Sequence, residues 1–124
     1  MLFMEKRVFL GYLYDFYGEL LNDHQKEIYS EYILDDLSLN EIAEEHGVSR
    51  QSVFDLVKRC TKALEEYEEK LSLVERFLKV KKEIGEISEL SDAGTKHAIE
   101  TGDTDSQDIF TKIKEMSENV TEEL

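Results

Sequence analysis

The chain has 124 residues, of which 40% are hydrophobic and 35% charged, with no proline and one cysteine. That length suits one compact domain, or a small domain with an extension, and leaves little room for two. The formal net charge is −14, so the summed field repels phosphate backbones and weighs against a simple DNA-binding protein.

From Glu5 to Leu21 the residues Phe9, Tyr12, Leu13, Phe16, Tyr17 and Leu20 recur at helical spacing, with Val8, Leu10, Tyr14 and Leu21 widening the stripe. A first helix covered on much of its circumference is expected, its aromatics serving core or partner-helix packing rather than base stacking. Asn22 or Asp23 can cap a second helix, with Ile28, Tyr29, Tyr32 and Ile33 buried and Asp35-Asp36 ending it.

The most informative stretch is SLNEIAEEHGVSRQSVFDLVKRC, Ser38 to Cys60. Ser38 and Glu41 form a Ser-x-x-Glu capping box that opens a short helix, on which Leu39, Ile42 and Ala43 share an apolar face. Gly47 supplies the positive φ that closes it, Val48 is placed to plug the crease, and Ser49 caps a second helix with Val53, Leu56 and Val57 inward. This is the grammar of a helix-turn-helix, with Ala43 small enough for the two helices to approach closely.

Beyond Cys60 the rhythm continues through Leu64, Tyr67, Leu71, Val74 and Leu78, a heptad-like seam. It reads as one long helix or as two with a break near Glu69 to Ser72. So long a seam has little sequence left to cover it, which points to folding back on the first helix or to pairing with a second copy of the chain. Ser91 to Ser106 loses the rhythm and gathers Gly, Ser, Thr and Asp, as a flexible linker does. A last segment, Gln107 to Val120, sets Ile109, Ile113 and Met116 on one side, with Phe110 and Val120 near it, as a short docking helix. The expected organisation is therefore a helical domain over 1–90, containing the helix-turn-helix (38–60) and the seam (61–90), followed by linker and docking helix over 91–124. The fold class is all-α, a helix-turn-helix without a wing and with a long C-terminal helical extension.

Catalytic and metal chemistry find little support. His24, His46 and His97 are far apart, and none has a cysteine or second histidine at ligand spacing, which argues against zinc. No glycine loop cradles phosphate, and neither the serines nor the carboxylates show a nucleophile or acid–base pattern. No enzyme activity, metal, cofactor or small-molecule substrate is expected. No apolar run matches a membrane span and no signal-peptide cleavage site is seen, so a cytoplasmic protein is expected, and the single Cys60 fits a reducing compartment.

The candidate contacts to nucleic acid lie at the start and outer face of the second motif helix: Ser49, Arg50, Gln51, Ser52, Phe54, Lys58 and, on the flank, Arg59. Arg50 and Gln51 suit base edges or phosphates and Lys58 a phosphate. Asp55 shares that face, and Ser38 to Cys60 carries three bases against four acids. Thr61 to Leu124 adds 17 acids and nine bases, an acidic face suited to a basic partner.

The residues from Val8 to Leu90, and DDLSLNEIAEEHGVSRQSVFD most specifically, resemble the YlxM family of small bacterial helix-turn-helix proteins. Gln25 to Cys60 also resembles the promoter-reading fourth region of bacterial sigma factors. The resemblance implies genes beside that of the signal recognition particle GTPase, and hence a regulatory or accessory role in protein targeting without settled catalytic activity. Two functions are therefore expected, beside a third and blander one, a dimeric scaffold with no nucleic-acid contact. One is an accessory protein binding the particle's GTPase, its RNA, or both. The other is a DNA-binding regulator acting as a homodimer through the seam, with Ser49 to Arg59 in the major groove.

Overall fold

The computed structural model describes residues 4–124, and every element among them is helical. They are α1 (Lys6–Tyr17), a 3-10 turn (Gly18–Leu20), α2 (Asp23–Ile33), α3 (Leu39–His46), α4 (Arg50–Leu71), α5 (Leu73–Thr101) and α6 (Thr104–Glu123). The chain forms two compact units, one closing at Val74 and the other running from Glu75 to Leu124.

In the first unit the caps set the helix starts. Asn22 and Gln25 make a capping box for α2, and Ser38 and Glu41 make one for α3. Each satisfies two backbone N–H groups that a helix start would otherwise leave open. At the end of α3, Gly47 takes φ +65, its N–H reaching Glu44 O at 3.4 Å while the Val48 N–H reaches Ala43 O at 3.0 Å. This is a Schellman closure, and it frees the chain to turn sharply into α4, which Ser49 caps. Val48 does not plug the crease: it is exposed. The closure is made by backbone hydrogen bonds, so its side chain is left over.

The core gathers Leu13, Tyr17, Tyr29, Ile42, Val53, Cys60 and Leu64, all nearly inaccessible to solvent. On α1 the buried line runs Leu10, Leu13, Tyr17 and on to Leu21, so Leu10 and Leu21 are central to it rather than at its margin. Leu20 lies exposed, because α1 stops at Tyr17 and the 3-10 turn rotates Gly18–Leu20 out of the α-helical register; Phe16, still within α1, is exposed because the buried line of that helix runs through Leu10, Leu13 and Tyr17. The Tyr29 hydroxyl pairs with Thr61 Oγ1 at 2.7 Å, and burial pushes the phenol up to about 12. Cys60 is fully buried on α4, and burial raises its thiol above the usual range. Thiolate is the reactive form, so a disulfide-exchange reagent at pH 8 should label Cys60 slowly in the native protein and rapidly in urea. Fast native labelling would contradict this burial.

The seam breaks at Ser72, which adopts φ +55 and separates α4 from α5. A buried carboxylate builds this elbow. Glu68 Oε1 accepts from the Tyr17 hydroxyl at 2.6 Å and from the Val74 N–H at 3.0 Å, while the Tyr17 oxygen accepts from the Leu73 N–H at 3.2 Å. Burial, and then the bond to Glu68, raise the Tyr17 phenol. Tyr67 sets its ring 5.9 Å from that of Tyr17, and Leu64 and Val74 are fully buried, so this part of the seam folds back on α1.

In the second unit the flexible linker expected at 91–106 is not found. Helix α5 runs unbroken to Thr101, the reversal is confined to Gly102 and Asp103, and α6 starts at Thr104. Gly102 takes φ +73, and Asp103 caps α6 by accepting from the Ser106 N–H and hydroxyl at 3.1 and 2.6 Å. Ser91, Gly94 and Ala98 are small because α6 packs there: a Cβ on Gly94 would stand 2.7 Å from the Phe110 ring. Lys114 Nζ meets Asp92 Oδ1 at 2.6 Å across the same seam. On α6 it is Phe110 and Ser117 that face α5, whereas Ile109 and Met116, each 59% accessible, and Ile113 and Val120 lie exposed.

Candidate nucleic-acid interface

Helix α4 divides by period. Val53, Leu56, Val57 and Cys60 go inward, and the positions between them, Arg50, Gln51, Phe54, Asp55, Lys58 and Arg59, are all exposed. The inward set is apolar because it packs on α1, α2 and α3; the outward set carries the charge. Ser49 and Ser52 are exposed but engaged: Ser49 Oγ accepts from the Ser52 N–H at 3.0 Å, and the two hydroxyls lie 2.8 Å apart. Their first task is to begin the helix. Gln51 Nε2 donates to Asp55 Oδ1 at 3.0 Å, so the amide that suited a base edge is tied to the carboxylate beside it.

Sharing Phe54 and Lys58 with this face, a groove of about 410 Å³ opens where α4 meets α1, α2 and α3. Its floor is apolar and aromatic, from Leu10, Tyr32, Leu39, Phe54 and Val57, and its rim carries Lys6, Lys58 and Lys62 against Glu65. Phe54 keeps 43% of its surface accessible there. Three ammonium groups and one carboxylate make this rim locally basic on a chain of net charge −14. Lys6 and Lys62 were not among the candidates from sequence. Lys62 stands one turn beyond Lys58 and was within reach of the 3.6-residue period; Lys6 lies on α1, and only folding brings it here. Arg7, one residue on, stacks its guanidinium over the Tyr32 ring at 4.7 Å, donates to the Tyr32 carbonyl and pairs with Asp36 at 2.8 Å.

A second convergence lies between α2 and α3. His46 Nε2 and Glu31 Oε2 are 2.8 Å apart, both partly buried, and Glu27 stands one turn before Glu31 on α2. The hydrogen bond to Glu31, joined by the charges of Glu31, Glu27 and Glu45, holds the imidazole above its ordinary range. Spacing along the chain hid this group, because the histidine and the carboxylates come from different helices.

The geometry of capping box, Schellman turn and outward basic helix is that of a helix-turn-helix, and the comparisons with known proteins agree. The family described as "UPF0122: Putative helix-turn-helix protein, YlxM / p13 like" matches residues 4–104. The chain belongs to this UPF0122 family. The match reaches well beyond Leu90, into the part of α5 whose composition resembles a linker. A UPF0122 protein of Geobacillus sp. (strain WCH70) is 42% identical over 115 residues, covering 93% of this chain and 97% of the relative. The UPF0122 protein YlxM of Bacillus subtilis (strain 168) is 47% identical over 97 residues, 78% of this chain and 87% of the relative. A UPF0122 protein of Halalkalibacterium halodurans is 48% identical over 89 residues, 72% and 82% respectively. No helix among the described residues of this UPF0122 chain is long and apolar enough to cross a membrane.

Proposed function

We propose that this UPF0122 protein is a cytoplasmic accessory factor of the signal recognition particle pathway, binding the particle's RNA through α4 and its GTPase through acidic helical surfaces. The observation that carries the RNA contact is the locally basic rim. Lys6, Lys58 and Lys62 border an accessible aromatic floor, beside exposed Arg50 and Arg59. Ammonium and guanidinium groups suit phosphates, and accessible rings suit unpaired bases, which duplex DNA does not offer. Asp55 on the outward face and the acid excess elsewhere disfavour a long duplex, whose phosphates run past the basic patch into repulsive field. The role is binding, with no catalytic step and no small-molecule substrate.

A second reading, a dimeric DNA-binding regulator, is favoured by one observation. Ile109, Ile113, Met116 and Val120 repeat at four, three and four residues and lie exposed along α6. That spacing, on α6 rather than in the 61–90 seam, suits pairing of helices from two copies, and pairing would supply two recognition helices for two half-sites.

The purified full chain, titrated with particle RNA, with the GTPase and with random duplex DNA at two salt concentrations, separates the readings. Arg50→Glu with Lys58→Glu should weaken RNA binding by about thirtyfold to nine-hundredfold, since each reversal replaces an attraction to phosphate by a repulsion and costs about 1–2 kcal/mol. Affinity for RNA unchanged by the double reversal would remove the motif from the interface. Preference for duplex DNA together with a sedimenting dimer would establish the second reading.

A further inference from the structure

The carboxylates of Glu27 and Glu31 project from successive turns of α2, and His46 closes the last turn of α3 against them. One oxygen of each carboxylate and one nitrogen of the imidazole lie within 4.8 Å of one another. Among the described residues no other three such side chains converge as closely. We propose that Glu27, Glu31 and His46 bind a divalent transition-metal ion of the Zn²⁺ type, which ties α2 to the first helix of the helix-turn-helix.

Such an ion, with bonds of about 2.0–2.2 Å, holds neighbouring donors about 3–3.5 Å apart. His46 and Glu31 are already closer than that, at 2.8 Å, so they need only part slightly, and Glu27 is exposed and free to swing in. The two carboxylates balance the charge of a dication, and water completes the coordination. A nitrogen donor among the three selects Zn²⁺ and its neighbours over Mg²⁺ and Ca²⁺, which prefer oxygen alone. The positions are also held firmly from outside. The capping box of Asn22 and Gln25 starts α2, and the Schellman closure at Gly47 ends α3 beside His46.

The His46–Glu31 hydrogen bond is complete without Glu27, and that separates a metal site from a plain ion pair. The full chain, stripped with a chelator and held at pH 8 so that the imidazole is free to ligate, is titrated with Zn²⁺ by calorimetry and thermal melting. One ion per chain and a raised midpoint are expected, with Mg²⁺ at the same concentration giving neither. Glu27→Gln should keep the metal-free midpoint yet bind Zn²⁺ at least about tenfold more weakly, and His46→Gln should lose the ion as well. Absence of binding, or binding as tight in both variants as in the parent because the ion sits at Cys60, His24 or His97, would overturn the site.

Discussion

Replacing Glu68 with Ala should lower the unfolding free energy by about 3 kcal/mol, one of the largest single effects in the chain. Only 9% of this residue is accessible, and its Oε1 accepts from both the Tyr17 hydroxyl and the Val74 N–H. Truncation takes that acceptor from two donors inside the protein and leaves a void where the side chain stood. It also unties the elbow, because the Val74 N–H is one of the open donors at the start of α5 and Glu68 meets it from the last turns of α4. Glu68→Gln retains an acceptor oxygen at the same reach and should cost about 1 kcal/mol, as should Tyr17→Phe. Urea unfolding of these variants checks the magnitudes. In the cycle of Glu68→Ala with Tyr17→Phe the losses should fall short of additive, since both remove the same 2.6 Å bond. Strict additivity would show that the bond contributes nothing to stability.

Most of the first unit was legible because local rules there agree with one another. Ser38 and Glu41 announce their capping box, Gly47 announces the left-handed residue, and the inward set on α4 follows a clean helical period. Where two local rules competed, the sequence was ambiguous. The stripe on α1 offered two overlapping registers, and only the packing of α1 on α2 and α4 selects the one through Leu10, Leu13 and Tyr17, with the 3-10 turn then bringing Leu21 into line. Glu68 could not be singled out among 29 acidic residues, because what distinguishes it is a tyrosine 51 positions away.

The site divides in the same manner. Arg50, Gln51, Phe54, Lys58 and Arg59 share an exposed helix, and periodicity alone puts them there. Lys6 in the groove and the meeting of His46 with Glu27 and Glu31 depend on which helices become neighbours, and a rule confined to one helix carries no such information. Residues 91–101 show a subtler failure. Ser, Gly, Thr and Ala are what flexible linkers use, but they are also what a helix uses where another must approach closely. The two uses differ in spacing, and Ser91, Gly94 and Ala98 stand three and four apart, on one helical face.

Two glycines on α5 turn that distinction into a measurement. Gly85 has nothing within 4 Å of the place its Cβ would occupy, whereas at Gly94 the Cβ would lie 2.7 Å from Phe110 Cδ1 and Cε1. Intrinsic propensity treats the two alike: glycine to alanine inside an exposed helix should stabilise by about 0.5–1 kcal/mol. Packing treats them oppositely. Gly85→Ala should therefore raise the stability of the second unit by that amount, and Gly94→Ala should lower it by about 1–3 kcal/mol, since the ring must leave its place against α5. Gly94→Val, with two further methyl groups, should separate the helices, because Ala98 is the one apolar residue fully buried among the described residues from Glu75 onward. Amide hydrogen exchange reads the outcome directly. Protection across Thr104–Glu123 should fall in both Gly94 variants and hold or rise in Gly85→Ala. Were 91–106 a mobile tether, both alanines would act alike, and protection in α6 would be indifferent to either.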